Sequence, residues 1–120
     1  MSGKPGTKGH KVSDFYKKYD PLKDSIRSLI LLKFGQLEVI VRDLCIFTAD
    51  DMGAGESTVR GFIDGVRNYG EIDLKNSQDV GLYRLSVLLH YLEIDPQNPV
   101  VERLKSSFNG YFEYPPKTKS

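Results

Sequence analysis

Few residues in this chain are of types that could do chemistry, and their spacing argues against most of it. His10 sits in a Gly- and Lys-rich stretch, and His90 lies inside the most apolar segment. Neither has a Cys or His neighbour at ligand spacing, so no zinc set is expected. His90 reads as a boundary histidine with one satisfied nitrogen. Cys45 falls on an apolar stripe and reads as a buried structural thiol. A Cys45–His90 nucleophile pair would require both side chains to leave the core together. Asp50, Asp51 and Glu56 flank Gly53 and Gly55. Carboxylates around a glycine turn suggest a divalent cation, but the spacing does not match the alternating oxygen ligands of an EF-hand loop. The stretch reads as a solvated loop. Gly53-x-Gly55 lacks a third glycine and a preceding strand, so it is not a nucleotide fingerprint. No Walker sequence is present. No titratable cluster can be assembled in a cleft. The expectation is therefore no catalytic residue, no cofactor and no metal: not an enzyme.

Gly61 and Gly65 stand four apart on one face of a helical stretch. Each costs about 1 kcal/mol relative to Ala in a helix interior. Two readings stay open for them: close approach of a neighbouring helix, or a flat surface that admits a partner.

Whatever positions these residues must be one domain of 120 residues, with 39% apolar and 28% charged residues. That suffices for one modest core and a normal soluble surface. One cysteine allows no internal disulfide, which fits a reducing compartment. The start is Gly- and Lys-rich without an apolar run, unlike a secretory signal. The longest apolar run, Leu29 to Leu32, is far short of a membrane span. A cytoplasmic location, with the nucleus as the other choice, is the expectation. Net charge is +1, but residues 1–19 carry five lysines against Asp14 alone. Residues 20–116 hold 10 basic and 15 acidic residues, a net of −5. An acidic body argues against nucleic-acid binding.

The chain divides into a disordered basic arm (1–12), a helical bundle (13–113) and a disordered tail (114–120). Asp20-Pro21 signals a helix start, with Leu22, Ile26, Leu29 and Ile30 on one face. Phe15, Tyr16 and Tyr19 suggest a short turn just upstream. Leu37, Ile40, Val41, Leu44 and Cys45 form an i, i+3, i+4, i+7, i+8 stripe. The segment 49–57 has room for one short helix. Ser57 or Thr58 would cap the next helix, with Val59, Phe62, Ile63 and Val66 as its face and Gly70 as its stop. Asn76 would cap a helix running from Val80 to Leu92, apolar on most sides and thus the most buried. Asn98-Pro99 starts a last helix with Val100, Val101, Leu104 and Phe108 inward. The sum is an all-α, six-helix antiparallel bundle with neighbours packed in chain order.

Leu37-Glu38-Val39-Ile40-Val41-Arg42-Asp43-Leu44-Cys45 resembles the second helix of death effector domains. Phe62 to Asp73 is similar to their fourth helix and its Gly-hydrophobic-Asp exit. Val80–Leu92 and Val100–Phe108 look like the fifth and sixth. Where the family carries Arg-x-Asp-Leu, this chain reads Glu93-Ile94-Asp95-Pro96, with the Asp but without the Arg. The resemblance spans about residues 20–112. It implies a death-fold bundle and homotypic, adaptor-type association with other death-fold proteins, or with itself, in apoptotic or innate-immune signalling. By position it implies one protein-binding patch from Leu31, Lys33, Phe34, Arg60 and Arg67. The opposite patch would come from Glu38, Arg42 and Asp43. It implies no small-molecule substrate and no membrane.

Two other readings compete with this one. A helical regulatory or accessory subunit would form an obligate oligomer, because Val80–Leu92 would otherwise be too apolar. A nucleic-acid binder would work through the basic arm alone.

Overall fold

The computed structural model describes residues 6–72 and 77–117, with side chains from Asp14 onward. Five helices follow one another: α1 (Gly6–Gln36), α2 (Val41–Met52), α3 (Glu56–Tyr69), α4 (Gln78–Tyr91) and α5 (Pro99–Ser107). There is no strand among the described residues. The all-helical class matches the sequence reading. The count of six does not.

The missing helix has a simple cause. α2 continues through Asp50 and Asp51 to Met52, and Gly53 ends it in the left-handed region at φ 68°. The Gly53 and Ala54 amides donate back to the Asp50 and Ala49 carbonyls, as an αL helix end requires. Only Gly53, Ala54 and Gly55 then separate α2 from α3, too few for another turn. Gly55, not Ser57 or Thr58, is the residue before α3, and it makes no side-chain cap.

Helix α1 departs further from expectation. It is 31 residues long and runs straight through Pro21, where a helix start was expected. It also takes in residues 6–12, which were assigned to the arm. Proline removes one backbone hydrogen bond and crowds the carbonyl four residues back. Here the phase of buried side chains outweighs that cost. Phe15, Tyr19, Leu22, Ile26 and Ile30 are all buried, at spacings of four, three, four and four. One apolar stripe thus crosses the proline without a break, while Pro21 itself faces solvent.

The second helix starts later than expected. Glu38 takes φ 51° and breaks the path between α1 and α2. The Val39 amide donates to the Phe34 carbonyl at 3.0 Å and closes the end of α1. Leu37 and Ile40 therefore fall outside α2 and are exposed, so the expected stripe keeps only Leu44 and Cys45 fully buried.

α4 is the central helix, as its composition predicts. Leu82, Leu85, Val87, Leu88 and Leu89 are fully buried by the chain itself, so its apolar character requires no second subunit. Ser77 caps it by accepting from the Val80 amide at 3.2 Å. The expected cap, Asn76, lies outside the described residues. Asn98 caps α5 by accepting from the Val100 amide at 2.9 Å, as predicted. The main pairings join α1 to α3, α4 and α5, and α2 to α3 and α4. Only α2–α3 among them is a pair of chain neighbours. The length of α1 explains this: one rod offers its single apolar stripe to three partners.

Residues 114–117, assigned from sequence to the tail, pack on the body. Tyr114 and Pro116 are buried. The Tyr114 hydroxyl donates to the Ile94 carbonyl at 2.7 Å, and Tyr83 donates to the Lys117 carbonyl at 3.0 Å.

These phenols carry a pH dependence. Burial, with Asp95 nearby, pushes Tyr114 up to about 12. Burial and then Asp20 raise Tyr19, whose hydroxyl donates to the Gly70 carbonyl at 2.6 Å. The folded state thus holds both protons after the unfolded chain begins to release its own near pH 10. Stability is complete below pH 10 and falls as pH rises toward 12. Alkaline titration of circular dichroism should show this decline, and Tyr114→Phe should flatten it. An unchanged slope in Tyr114→Phe would remove Tyr114 as its source.

Candidate interaction surface

The residues singled out for chemistry end in places that suit structure. Cys45 is buried, and burial raises its thiol above the usual range. His90 is exposed in the last turn of α4, with its ring edge-on to Tyr91 at 5.8 Å. A buried thiol and a solvent-facing imidazole do not form a nucleophile pair. Among the described residues no three His, Cys, Asp or Glu side chains converge as a metal site would need.

The acidic loop is only partly solvated. Asp50 and Glu56 are exposed, but Asp51 is buried and accepts a hydrogen bond from the Tyr91 hydroxyl at 2.5 Å. The loop reading is corrected here: Asp51 belongs to the inner face of α2. It stands seven residues after Leu44 and three after the buried Thr48, so a stripe carried to Met52 would have placed it. Arg84 adds a second tie between α4 and α2, donating from Nε to the Met52 carbonyl at 3.4 Å. Both bonds fix α2 on α4.

Gly61 and Gly65 are not a close-packing seam. A Cβ on Gly61 would meet nothing within 4 Å, and one on Gly65 would meet only the Glu71 carbonyl oxygen, at 3.6 Å. They line a groove of about 920 Å³ with Phe62, opposite Tyr16 and Tyr19 of α1. Lys23 and Arg84 border it alongside Asp20 and Glu71, so its charge is balanced.

Of the eight residues placed on the two expected protein-binding patches, the first group splits. Leu31 is exposed, Lys33 is half-buried and Phe34 is buried. The Arg67 guanidinium lies over the Phe34 ring, 5.4 Å from its centroid. Arg60 and Arg67 flank Asp64 at 3.6 and 3.7 Å. These two arginines are thus engaged within α3. Glu38, Arg42 and Asp43 are all exposed and lie together, around the start of α2.

A stronger feature lies in the same stretch of chain. Eight large apolar or aromatic residues are exposed among the described residues, and six fall between positions 31 and 47: Leu31, Leu32, Leu37, Ile40, Ile46 and Phe47. Ile40 and Phe47 stand out at 62% and 64% exposure. They are seven residues apart, Ile40 as the residue before α2 and Phe47 within it. Scattered surface leucines need no explanation, but clustered ones do. The sequence reading placed Leu37 and Ile40 in the core and did not single out Ile46 or Phe47. For Ile46 and Phe47 the signal was that neither falls on the Leu44–Cys45–Thr48 face.

No family model, curated protein or solved structure matches the chain. No helix among the described residues is long and apolar enough to cross a membrane.

Proposed function

We propose that this chain is a protein–protein interaction module. One observation carries the reading: six of the eight large apolar side chains exposed among the described residues fall within residues 31–47, the segment that also carries the exposed Glu38, Arg42 and Asp43. Exposed apolar side chains interspersed with charges are the make-up of an interface.

The more specific reading is a divergent death-fold domain that associates homotypically with death-fold partners in apoptotic or innate-immune signalling. It rests on the sequence resemblance over residues 20–112. Of the charges that reading assigns to the second helix, Arg42 and Asp43 lie exposed on α2, and Glu38 lies exposed in the turn before it. The five-helix arrangement departs from it, since no short helix stands between α2 and α3.

A pull-down with the full chain from lysate of the source organism, read by mass spectrometry, tests this reading. A parallel bait carries Glu38→Lys and Arg42→Glu. Capture of a death-fold protein that the charge-reversed bait loses is the expected result. Capture that is indifferent to charge reversal would sink the death-fold reading.

A further inference from the structure

The cleft between α1 and α5 takes no part in the interaction reading and has a chemistry of its own. These two helices pack on each other, with Phe15 against Phe108. They also leave between them a cleft of about 450 Å³. Lys17 and Lys18 line it from α1, and Glu102, Arg103, Ser106 and Ser107 line it from α5. Three cations thus share the cleft with one carboxylate. That carboxylate, Glu102, already has a cation of its own, Lys105, at 3.8 Å. Lys17, Lys18 and Arg103 are exposed, and among the described residues none of the three is in an ion pair. The cleft therefore concentrates unmatched positive charge and two hydroxyls in one place, a setting that suits a phosphate.

The sequence at the cleft says where that phosphate would come from. The chain has six arginines, and only Arg103 is followed by a Ser or Thr three residues later: Arg103-Leu104-Lys105-Ser106. An arginine at that spacing, with a lysine just before the hydroxyl, is a charge pattern that an acidic kinase cleft can select. Ser106 is exposed, whereas Ser107 is half-buried. Ser106 also lies in the last turn of α5, one residue from its end, where helices fray and open their backbone. A phosphate on Ser106 would stand one helical turn from Arg103 and in the same cleft as Lys17 and Lys18. Three solvated cations hold a free anion only weakly. A phosphate bonded to Ser106 is already in place, at high effective concentration.

We propose that Ser106 is a phosphorylation site and that Lys17, Lys18 and Arg103 receive its phosphate, tying α5 to α1. In the transfer the Ser106 Oγ attacks the γ-phosphorus of ATP. The Oγ–P bond forms as the bond to ADP breaks, and the hydroxyl proton passes to the carboxylate base of the kinase. Two effects then oppose each other in the product. The C-terminal end of a helix disfavours an anion. Against that partial charge stand three whole ones, whose charge-assisted hydrogen bonds go to the phosphate oxygens. The whole charges prevail, so the modification fastens the helix that brings Phe108 onto Phe15.

The test has two arms, both on the full chain. In the first, the chain is incubated with ATP and the catalytic subunit of a protein kinase that selects arginine three residues before the hydroxyl. Mass spectrometry should find one phosphate, on Ser106, and Ser106→Ala should take none. No phosphate on Ser106 would overturn the modification site. The second arm does not depend on a kinase. Phosphoserine is installed at position 106 by genetic encoding, in the wild type and in Lys17→Glu/Lys18→Glu, whose two positions are exposed. At low salt the phosphate should raise the thermal midpoint of the wild type by roughly 4 °C. In the Lys17→Glu/Lys18→Glu background it should lower the midpoint, because the helix end then acts against it. Phosphorus NMR reads the contact directly. Neighbouring cations favour the dianion, so the second ionisation should fall below its usual value of about 6 in the wild type and return to it or above in the double variant. A wild-type midpoint that stays or falls, or an ionisation near 6 in both chains, would overturn the receiving role of the cations.

Discussion

Phe15→Ala should lower the stability of the fold by about 3–5 kcal/mol, the usual loss for a fully buried phenylalanine. Phe15 sits at the junction of α1 and α5. Its ring stacks on Tyr19 at 5.3 Å, meets Tyr16 edge-on at 5.2 Å and leans on Phe108 at 5.1 Å. Truncation removes the ring's own transfer from water and leaves a hole between two rods that cannot both move in. A domain of this size has about 5–15 kcal/mol in total, so the loss is a large share of the whole. Urea unfolding followed by circular dichroism measures it. A loss under about 1 kcal/mol would mean that the first turns of α1 are an appendage and not part of the core.

Gly70→Ala should cost about 2–5 kcal/mol, and the comparison with Gly53→Ala separates the causes. Both glycines end a helix in the left-handed region, at φ 71° and φ 68°. Each substitution therefore carries the conformational penalty of about 1–2 kcal/mol. At Gly53 a Cβ would meet nothing within 4 Å, so that penalty is the whole effect. At Gly70 the Cβ would lie 2.7 Å from the Lys23 carbonyl oxygen. That neighbour is backbone of α1 and cannot rotate away. The end of α3 would have to lift from α1, adding an overpacking cost of about 1–3 kcal/mol. Lifting it would also strain the Tyr19 bond to the Gly70 carbonyl and the Arg27 bond to the Asn68 carbonyl at 2.8 Å. Equal losses in the two variants would show that the close approach of α1 to Gly70 does not hold in solution.

Where one helix face met one core, the sequence was legible. Val59, Phe62, Ile63 and Val66 lie inward on α3, and Gly70 ends it, as their spacing and type predict. The dense apolar run from Leu82 to Leu89 became the central helix. Legibility failed where a local signal competed with a long-range one. Asp20-Pro21 is a good helix start by local rules, but Phe15 and Tyr19 upstream share a stripe with Leu22 and Ile26 downstream. Tertiary burial of that stripe decided the outcome. The surface was misread for a related reason. Leu37, Ile40, Leu44 and Cys45 fit one helical face in sequence, yet the turn at Glu38 takes the first two out of phase. Periodicity alone cannot show such a turn, because Glu is an uncommon residue at positive φ.

The contact between Phe15 and Phe108 has a bearing on how the chain is made. These partners are separated by most of the sequence, and a ribosome adds about 5–20 residues per second. For several seconds after Phe15, Tyr19 and Leu22 emerge, the helix that covers them does not yet exist. α2, α3 and α4 can assemble in the meantime along α1, with Tyr19 bonded to the end of α3, but Phe15 must wait for Phe108 at the end of α5. During that interval the nascent chain displays an aromatic cluster to the cell, which makes this stretch a natural stopping place for a chaperone and the site from which premature aggregation would begin.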